Sequence, residues 1–339
     1  MKSNKWLFLQ LLTVILVIII TNNVNAQSSG YHVAQTFHIA SSGGWDYISV
    51  GPGNNRLYLS HGMQVNVLNE TTGDSVGVIP NTGGVHGIAF VPSLGKGYTS
   101  NGRLNNITVF DLKTNNVLSQ IATGQNPDAI MYDEFSKMII TCNGRSNDLS
   151  IVDPATEKVV ATIPVGGKPE TAVSNNAGKL FVNIEDKNEI ISVNLKTNAV
   201  ENRWSIAPAD GPTGLAIDLL TNRLYAGCDK KLVVMNALDG KVVTTVPIAD
   251  GCDGVAFDNI TKNIFASCGE GKLTIIHEAS ADKYEVADNV ATKRSARTIA
   301  IDEKTHTIFL PAAEFDAPTE AGKRPPMKPG TFQVLVVKK

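Results

Sequence analysis

Residues 127–168 read PDAIMYDEFSKMIITCNGRSNDLSIVDPATEKVVATIPVGGK, four short apolar runs cut by polar turns. The runs centre on Ala129-Ile-Met131, Ile139-Ile-Thr-Cys142, Leu149-Ser-Ile-Val-Asp153 and Val159-Val-Ala-Thr-Ile163. Runs of this length, rich in β-branched residues and bounded by Asn, Gly, Asp and Pro, read as strands. The turn residues carry their own reason: Asn and Gly tolerate left-handed backbone, and Asp bonds nearby amides. No stretch in the segment has helical length or period. Four consecutive strands joined by tight turns make one antiparallel sheet.

The same grammar recurs along the chain. An aromatic or branched apolar residue marks the second strand of each unit at Tyr58, Tyr98, Ile139, Phe181, Tyr225, Phe265 and Phe309. The intervals are 40, 41, 42, 44, 40 and 44 residues, the length of one four-stranded propeller blade. First strands repeat as Ile88-Ala-Phe90, Leu215-Ala-Ile217, Val255-Ala-Phe257 and Ile299-Ala-Ile301. Third strands end on Asp or Asn, as in Thr108-Val-Phe-Asp111 and Val233-Val-Met-Asn236. The spacing predicts an all-β, seven-bladed β-propeller with blades starting near residues 45, 86, 127, 169, 212, 252 and 296.

These residues resemble the YVTN-repeat (YncE-like) β-propeller family, whose unit reads Pro-x-x-Ile/Val-Ala, Lys/Arg-Leu-Tyr-Val, Val-x-Asp-x-x-Thr, Val-Val-x-Thr-Ile-x-Val-Gly. The segment quoted above carries it in Val152-Asp153 and Val159-Val-Ala-Thr-Ile-Pro-Val-Gly166, and the fifth unit in Asn222-Arg-Leu-Tyr225. The resemblance covers nearly all of the chain beyond its first residues and implies a fold rather than a reaction. The sixth and seventh units depart most, with His277-Glu-Ala-Ser280 in place of the Asp-x-x-Thr turn.

Strand counting gives an expectation for closure. The last unit supplies Thr298–Asp302, Thr307–Leu310 and Phe332–Val337 and then runs out of chain, while Val33–Ile39 precedes the first unit with no partner. Pairing the two would complete the last blade and remove an open edge. Residues 311–331, with a Pro-rich run from Ala317 to Gly330, form a loop insertion in the seventh blade. A loop that long is either functional or a floppy surface segment.

At the N-terminus, Lys2 and Lys5 precede an apolar run from Trp6 to Ile20, followed by Val24-Asn25-Ala26. This is the pattern of a secretory signal peptide over residues 1–26; the run is short for a membrane span. The expected location is periplasmic or secreted. The remaining 313 residues carry 28 basic and 32 acidic side chains, formally −4, which excludes the basic footprint of a nucleic-acid binder. No second apolar run follows, and a monomer with no membrane span is expected.

Alternating strand direction puts the loops entering first strands at the same end as the turns between second and third strands. That end collects Asp46, His86, Asp128, Glu170, Asp253 and Arg297 from the first set, and Arg103 and Arg145 from the second, in the matching contexts Asn101-Gly-Arg103 and Asn143-Gly-Arg145. Arginine forks suit anions; carboxylates with His86 could hold a cation or move protons. The same acids could instead cap turn amides, and the same arginines could be plain loop charges. The expected function is binding of a small ligand or an envelope protein at this mouth, without a reaction. The alternative is a hydrolase resembling propeller lactonases, using the mouth carboxylates and His86, with or without a divalent metal. No cofactor is indicated. A quinone-dependent dehydrogenase fits poorly with two tryptophans, Trp45 and Trp204, beyond the signal, and no stacked aromatic platform is legible.

The four cysteines are Cys142, Cys228, Cys252 and Cys268. A hairpin turning near Ile260 sets Cys252 opposite Cys268, which leaves two readings open: a disulfide, or small thiols filling space between blades. Cys142 has no comparable partner and is expected to be free.

Overall fold

The computed structural model describes residues 29–41, 43–317 and 325–339; the expected signal peptide lies outside them. Seven separate four-stranded antiparallel sheets make up the described chain, with helix confined to the single turns Pro92–Leu94 and Glu185–Lys187. Among the described residues no helix is long and apolar enough to cross a membrane. The chain is a seven-bladed β-propeller.

The first, axial strands run Trp45–Val50, Val85–Val91, Pro127–Asp133, Pro169–Ser174, Leu215–Asp218, Cys252–Asp258 and Ala300–Asp302. In the fifth and seventh blades pairing starts a few residues later than the spacing suggests. Pro212 has no N–H to give the ladder, and a turn closed by Ala296 N–H to Lys293 O fills the corresponding place in the seventh. Second and third strands are covered on both faces by adjoining blades. They therefore read as nearly continuous buried runs, as in Met138–Asn143 and Asp148–Asp153, while the outer strand Lys158–Pro164 is mostly exposed. All seven marked residues, Tyr58 to Phe309, are at most 1% exposed. They are core, and they report nothing about a ligand.

Turn composition follows from backbone geometry. Asn55, Lys137, Asn222, Lys262 and His306 hold positive φ between first and second strands, as do Asn105, Asn147, Asn188 and Lys230 between second and third. Asn is enriched there because it bears left-handed backbone at low cost. The Asp-x-x-Thr signature is equally local: Asp111 accepts from Thr114 N–H at 2.7 Å and from its hydroxyl at 2.8 Å, and Asp153 accepts the Thr156 hydroxyl at 2.8 Å. Its loss in the sixth blade has a structural counterpart. There the third and fourth strands lengthen to Lys272–Ser280 and Lys283–Ala291, and the hairpin turns tightly at Ala281-Asp282.

The seventh sheet has the order His32–His38, Gln333–Lys338, Thr307–Ala312, Ala300–Asp302. His32–His38 lies antiparallel to Gln333–Lys338, with Thr36 opposite Leu335 and Phe37 opposite Val334. Phe37 and Ile39 pack in one apolar cluster with Leu57 and Leu59 of the first blade and Phe309, Phe332 and Val336 of the seventh. Residues from both ends of the chain thus share one core.

Candidate functional site: a charged axial mouth

One position per blade, at the head of the axial strand, faces the channel. Going round the ring these are Asp46, His86, Asp128, Glu170, Thr213, Asp253 and Arg297, and all seven line a cavity of about 1130 Å³. Arg103 and Arg145 line it too, from turns between second and third strands. So do Phe315, Pro325 and Met327 from the long seventh-blade loop, where Phe315 and Met327 form an isolated bridge. All eight residues singled out in the sequence therefore border one space. A smaller cavity of about 140 Å³ shares Tyr47 with the mouth and is otherwise mostly apolar, bordered by Ile48, Ile88, Ile130, Met131 and Ile140.

Neighbouring blades alternate in charge around part of the ring. Arg297 Nε donates to Asp253 at 2.7 Å, and its Nη2 lies 3.6 Å from Asp46. His86 Nδ1 donates to Asp46 at 2.7 Å and stands 3.7 Å from Asp128. The order Asp253, Arg297, Asp46, His86, Asp128 thus spans the sixth, seventh, first, second and third blades. In the fourth, Lys168 bridges Glu170, at 2.5 Å, and Glu185. The belt pins Arg297, whose guanidinium also sits 5.6 Å from the centre of the Trp45 ring. Trp45 in turn packs against Phe315 at 5.7 Å and Phe332 at 5.3 Å. The sequence showed no such aromatic group, because its members are separated by some 270 residues.

Burial and crowding set the protonation of the mouth. Burial by itself would push the His86 imidazole down; its hydrogen bond to Asp46 and the charges of Asp128, Asp46 and Glu170 outweigh that, and the ring holds its proton above the ordinary range. Burial raises the Asp128 carboxyl, with Asp46 and Asp253 adding to it against His86 and Lys168. Burial likewise raises Glu170, reinforced by Asp128, and the Lys168 ammonium only partly offsets it. Tyr47 was not singled out in the sequence; burial and the four mouth carboxylates keep its phenol neutral far beyond its usual range. Lys168 was missed as well, although its place two residues before Glu170 was a usable signal.

Asp46, His86 and Asp128 each offer a ligand atom, all within 4.8 Å of one another. Two hard carboxylates and an imidazole suit a divalent cation once the ring gives up its proton. His61, by contrast, is structural: its Nε2 donates to Gly43 O at 2.8 Å and its Nδ1 accepts from the Ser41 hydroxyl at 2.8 Å, with no surface exposure.

No family model matches the sequence, and a search of curated proteins finds no match. Among solved structures, Kuenenia stuttgartiensis hydrazine synthase is similar, with a TM-score of 0.71 at 13% identity, covering 80% of this chain and 94% of that chain. At that identity the likeness is one of fold alone.

The protonation pattern predicts a pH dependence. Glu70, between the first and seventh blades, is raised from 4.5 to about 7 by burial and by Asp302. Glu170 and His86 are raised as well. Each group binds its proton more tightly folded than unfolded, so its contribution is complete below its unfolded pKa and is lost as pH rises through the folded one. Carboxylates held low by turn hydrogen bonds, such as Asp153 and Asp258, have the opposite sign but act only below pH of about 4. The urea midpoint is therefore expected to fall between pH 5 and pH 8, and Glu170→Gln should flatten the slope. A midpoint that rises over that interval would contradict the arrangement.

Proposed function

We propose that the protein is an exported propeller of the YVTN-repeat type that binds a small polar ligand or an envelope partner at its axial mouth without altering it chemically. The observation that carries this reading is two guanidiniums without an ionic partner in a cavity whose opposite side is a crowded row of acids. Among the described residues the Arg145 guanidinium has no ion-pair or hydrogen-bond partner, and the Arg103 guanidinium donates only to the Met63 sulfur, at 3.5 Å. Across the same space the Asp128 carboxylate has no nearer cation than His86 at 3.7 Å. Charges held in a concave site and left unpaired by the protein are available to a ligand. The aromatic group at Trp45 and the loop residues Phe315 and Met327 supply an apolar edge.

Native mass spectrometry with elemental analysis of protein from its own compartment tests the reading. A retained small molecule is expected in the wild type, with Arg145→Ala and Asp128→Asn each weakening its binding by about tenfold or more, the usual cost of losing a charged hydrogen bond. Variants that hold it as tightly as the wild type would sink the proposal.

The hydrolase reading draws on the Asp46–His86 hydrogen bond at 2.7 Å, which orients the imidazole as a base requires. Asp46, Asp128 and Glu170 raise the imidazole's hold on its proton, which lowers the share of free base at a given pH and favours binding. Lactone hydrolysis that is lost in His86→Gln and increases above neutral pH would reverse that preference.

A further inference from the structure

The inner hairpins of the first four blades open with a facing pair directly beneath the mouth: Trp45 with His61, Val85 with Asn101, Pro127 with Asn143, Pro169 with Ile184. In the sixth blade that pair is Cys252 with Cys268. Facing residues of a regular antiparallel ladder have Cα atoms about 4.5–5.5 Å apart, inside the range a disulfide needs; a bulge between Cys252 and Gly254 adjoins this pair and leaves Cys252 and Cys268 as partners. The Cys252 thiol donates to the Gly254 carbonyl at 3.7 Å and the Cys268 thiol to the Ala266 carbonyl at 3.5 Å. The Cys252 sulfur occupies the space over Gly227 of the fifth blade, where a Cβ would stand only 2.6 Å from it. All four cysteines are thiols in this structure, and Cys252 and Cys268 are 5% and 0% exposed.

We propose that Cys252 and Cys268 are a disulfide site, closed during folding to staple the sixth inner hairpin where Asp253 holds Arg297. The oxidant is a second disulfide, small or protein-borne. One cysteine thiolate attacks it and releases a thiol; the other thiolate displaces the mixed disulfide and releases the second. Two protons and two electrons leave this chain, one S–S bond forms within it, and the oxidant's S–S bond becomes two thiols. The neighbouring Cys268 thiol and burial hold the Cys252 thiol well above its ordinary pKa once folded. The thiolate that attacks is therefore scarce in the native state, and closure belongs to the folding chain.

The test is refolding of the denatured, reduced full chain in a mixture of glutathione and glutathione disulfide. Unreduced peptide mapping should recover one linked pair, Cys252 with Cys268, and alkylated Cys142 and Cys228. Adding reductant should lower the thermal midpoint by about 5 °C, as expected for a loop of this size in a domain of this length, and should leave a Cys268→Ser protein unmoved. If that variant does not fold, the midpoint of the wild type with and without reductant decides alone. Four alkylated cysteines after refolding, or a Cys228–Cys252 link, would overturn the site. Glutathione disulfide added to the already folded, reduced protein should leave the pair open for hours; rapid closure would remove the folding-stage part of the proposal.

Discussion

A chain lacking residues 27–40 is expected to lose most or all of its stability. The deletion removes the strand beside Gln333–Lys338 and three side chains, Tyr31, Phe37 and Ile39, that are 5%, 3% and 5% exposed. At about 1.5–3 kcal/mol for each buried apolar side chain, the loss is about 5–9 kcal/mol, against a typical domain total of about 5–15 kcal/mol. It also uncovers the ladder edge of Gln333–Lys338 for pairing with other chains. Shortening the long loop within 317–325 removes none of this and should cost about 1 kcal/mol or less. Urea unfolding, with size-exclusion chromatography to count aggregates, compares the two. Deletion of 27–40 that leaves the midpoint where loop shortening leaves it would show that the shared strand does not hold the ring.

Lys262→Met should cost about 3 kcal/mol, a large effect for one surface-reaching side chain. The Lys262 ammonium lies 3.1 Å from Asp218 and 4.0 Å from Glu278, which are 1% and 2% exposed at their side chains. Burial opposes the charged form of Asp218; the Leu220 N–H, Lys262 and the Thr221 hydroxyl together outweigh it and hold the group low. Burial and Asp218 raise Glu278. Without Lys262 the buried Asp218 carboxylate keeps its turn bonds but loses its counter-charge. The double variant Lys262→Met with Asp218→Asn should then cost less than the sum of the two single changes, because neutral Asn needs no counter-charge. Strict additivity in urea would mean that the ammonium is solvated and does no pairing. The pair joins the fifth blade to the sixth, so the lost energy should appear as cooperative unfolding of the whole ring.

Much of this architecture was legible because a blade is local. Four strands and three turns occupy some forty consecutive residues, and each piece answers to nearest neighbours: β-branched runs to pleat and packing, Asn and Gly to left-handed turns, Asp-x-x-Thr to amides two and three residues on. Repetition then multiplied a weak local signal seven times. The Cys252–Cys268 register was readable for the same reason, since one short hairpin fixes it.

The mouth was legible as a list and not as an arrangement. Strand direction alone determined which residues reach that end. Which of them pair depends on how the ring folds back on itself: Arg297 reaches Asp253, 44 residues away, and the Trp45 carbonyl, 252 residues away. Tyr47 and the Trp45–Phe315–Phe332 group gained a role only when blades far apart in sequence became neighbours. Charge state followed the same rule, because burial and crowding of Asp128, Glu170 and His86 are properties of the enclosed axis. Local pattern and repetition were enough for the blade, its count and the end that would be polar. Ring closure decided the rest, since electrostatics and desolvation act through space and a linear pattern records only what acts along the chain.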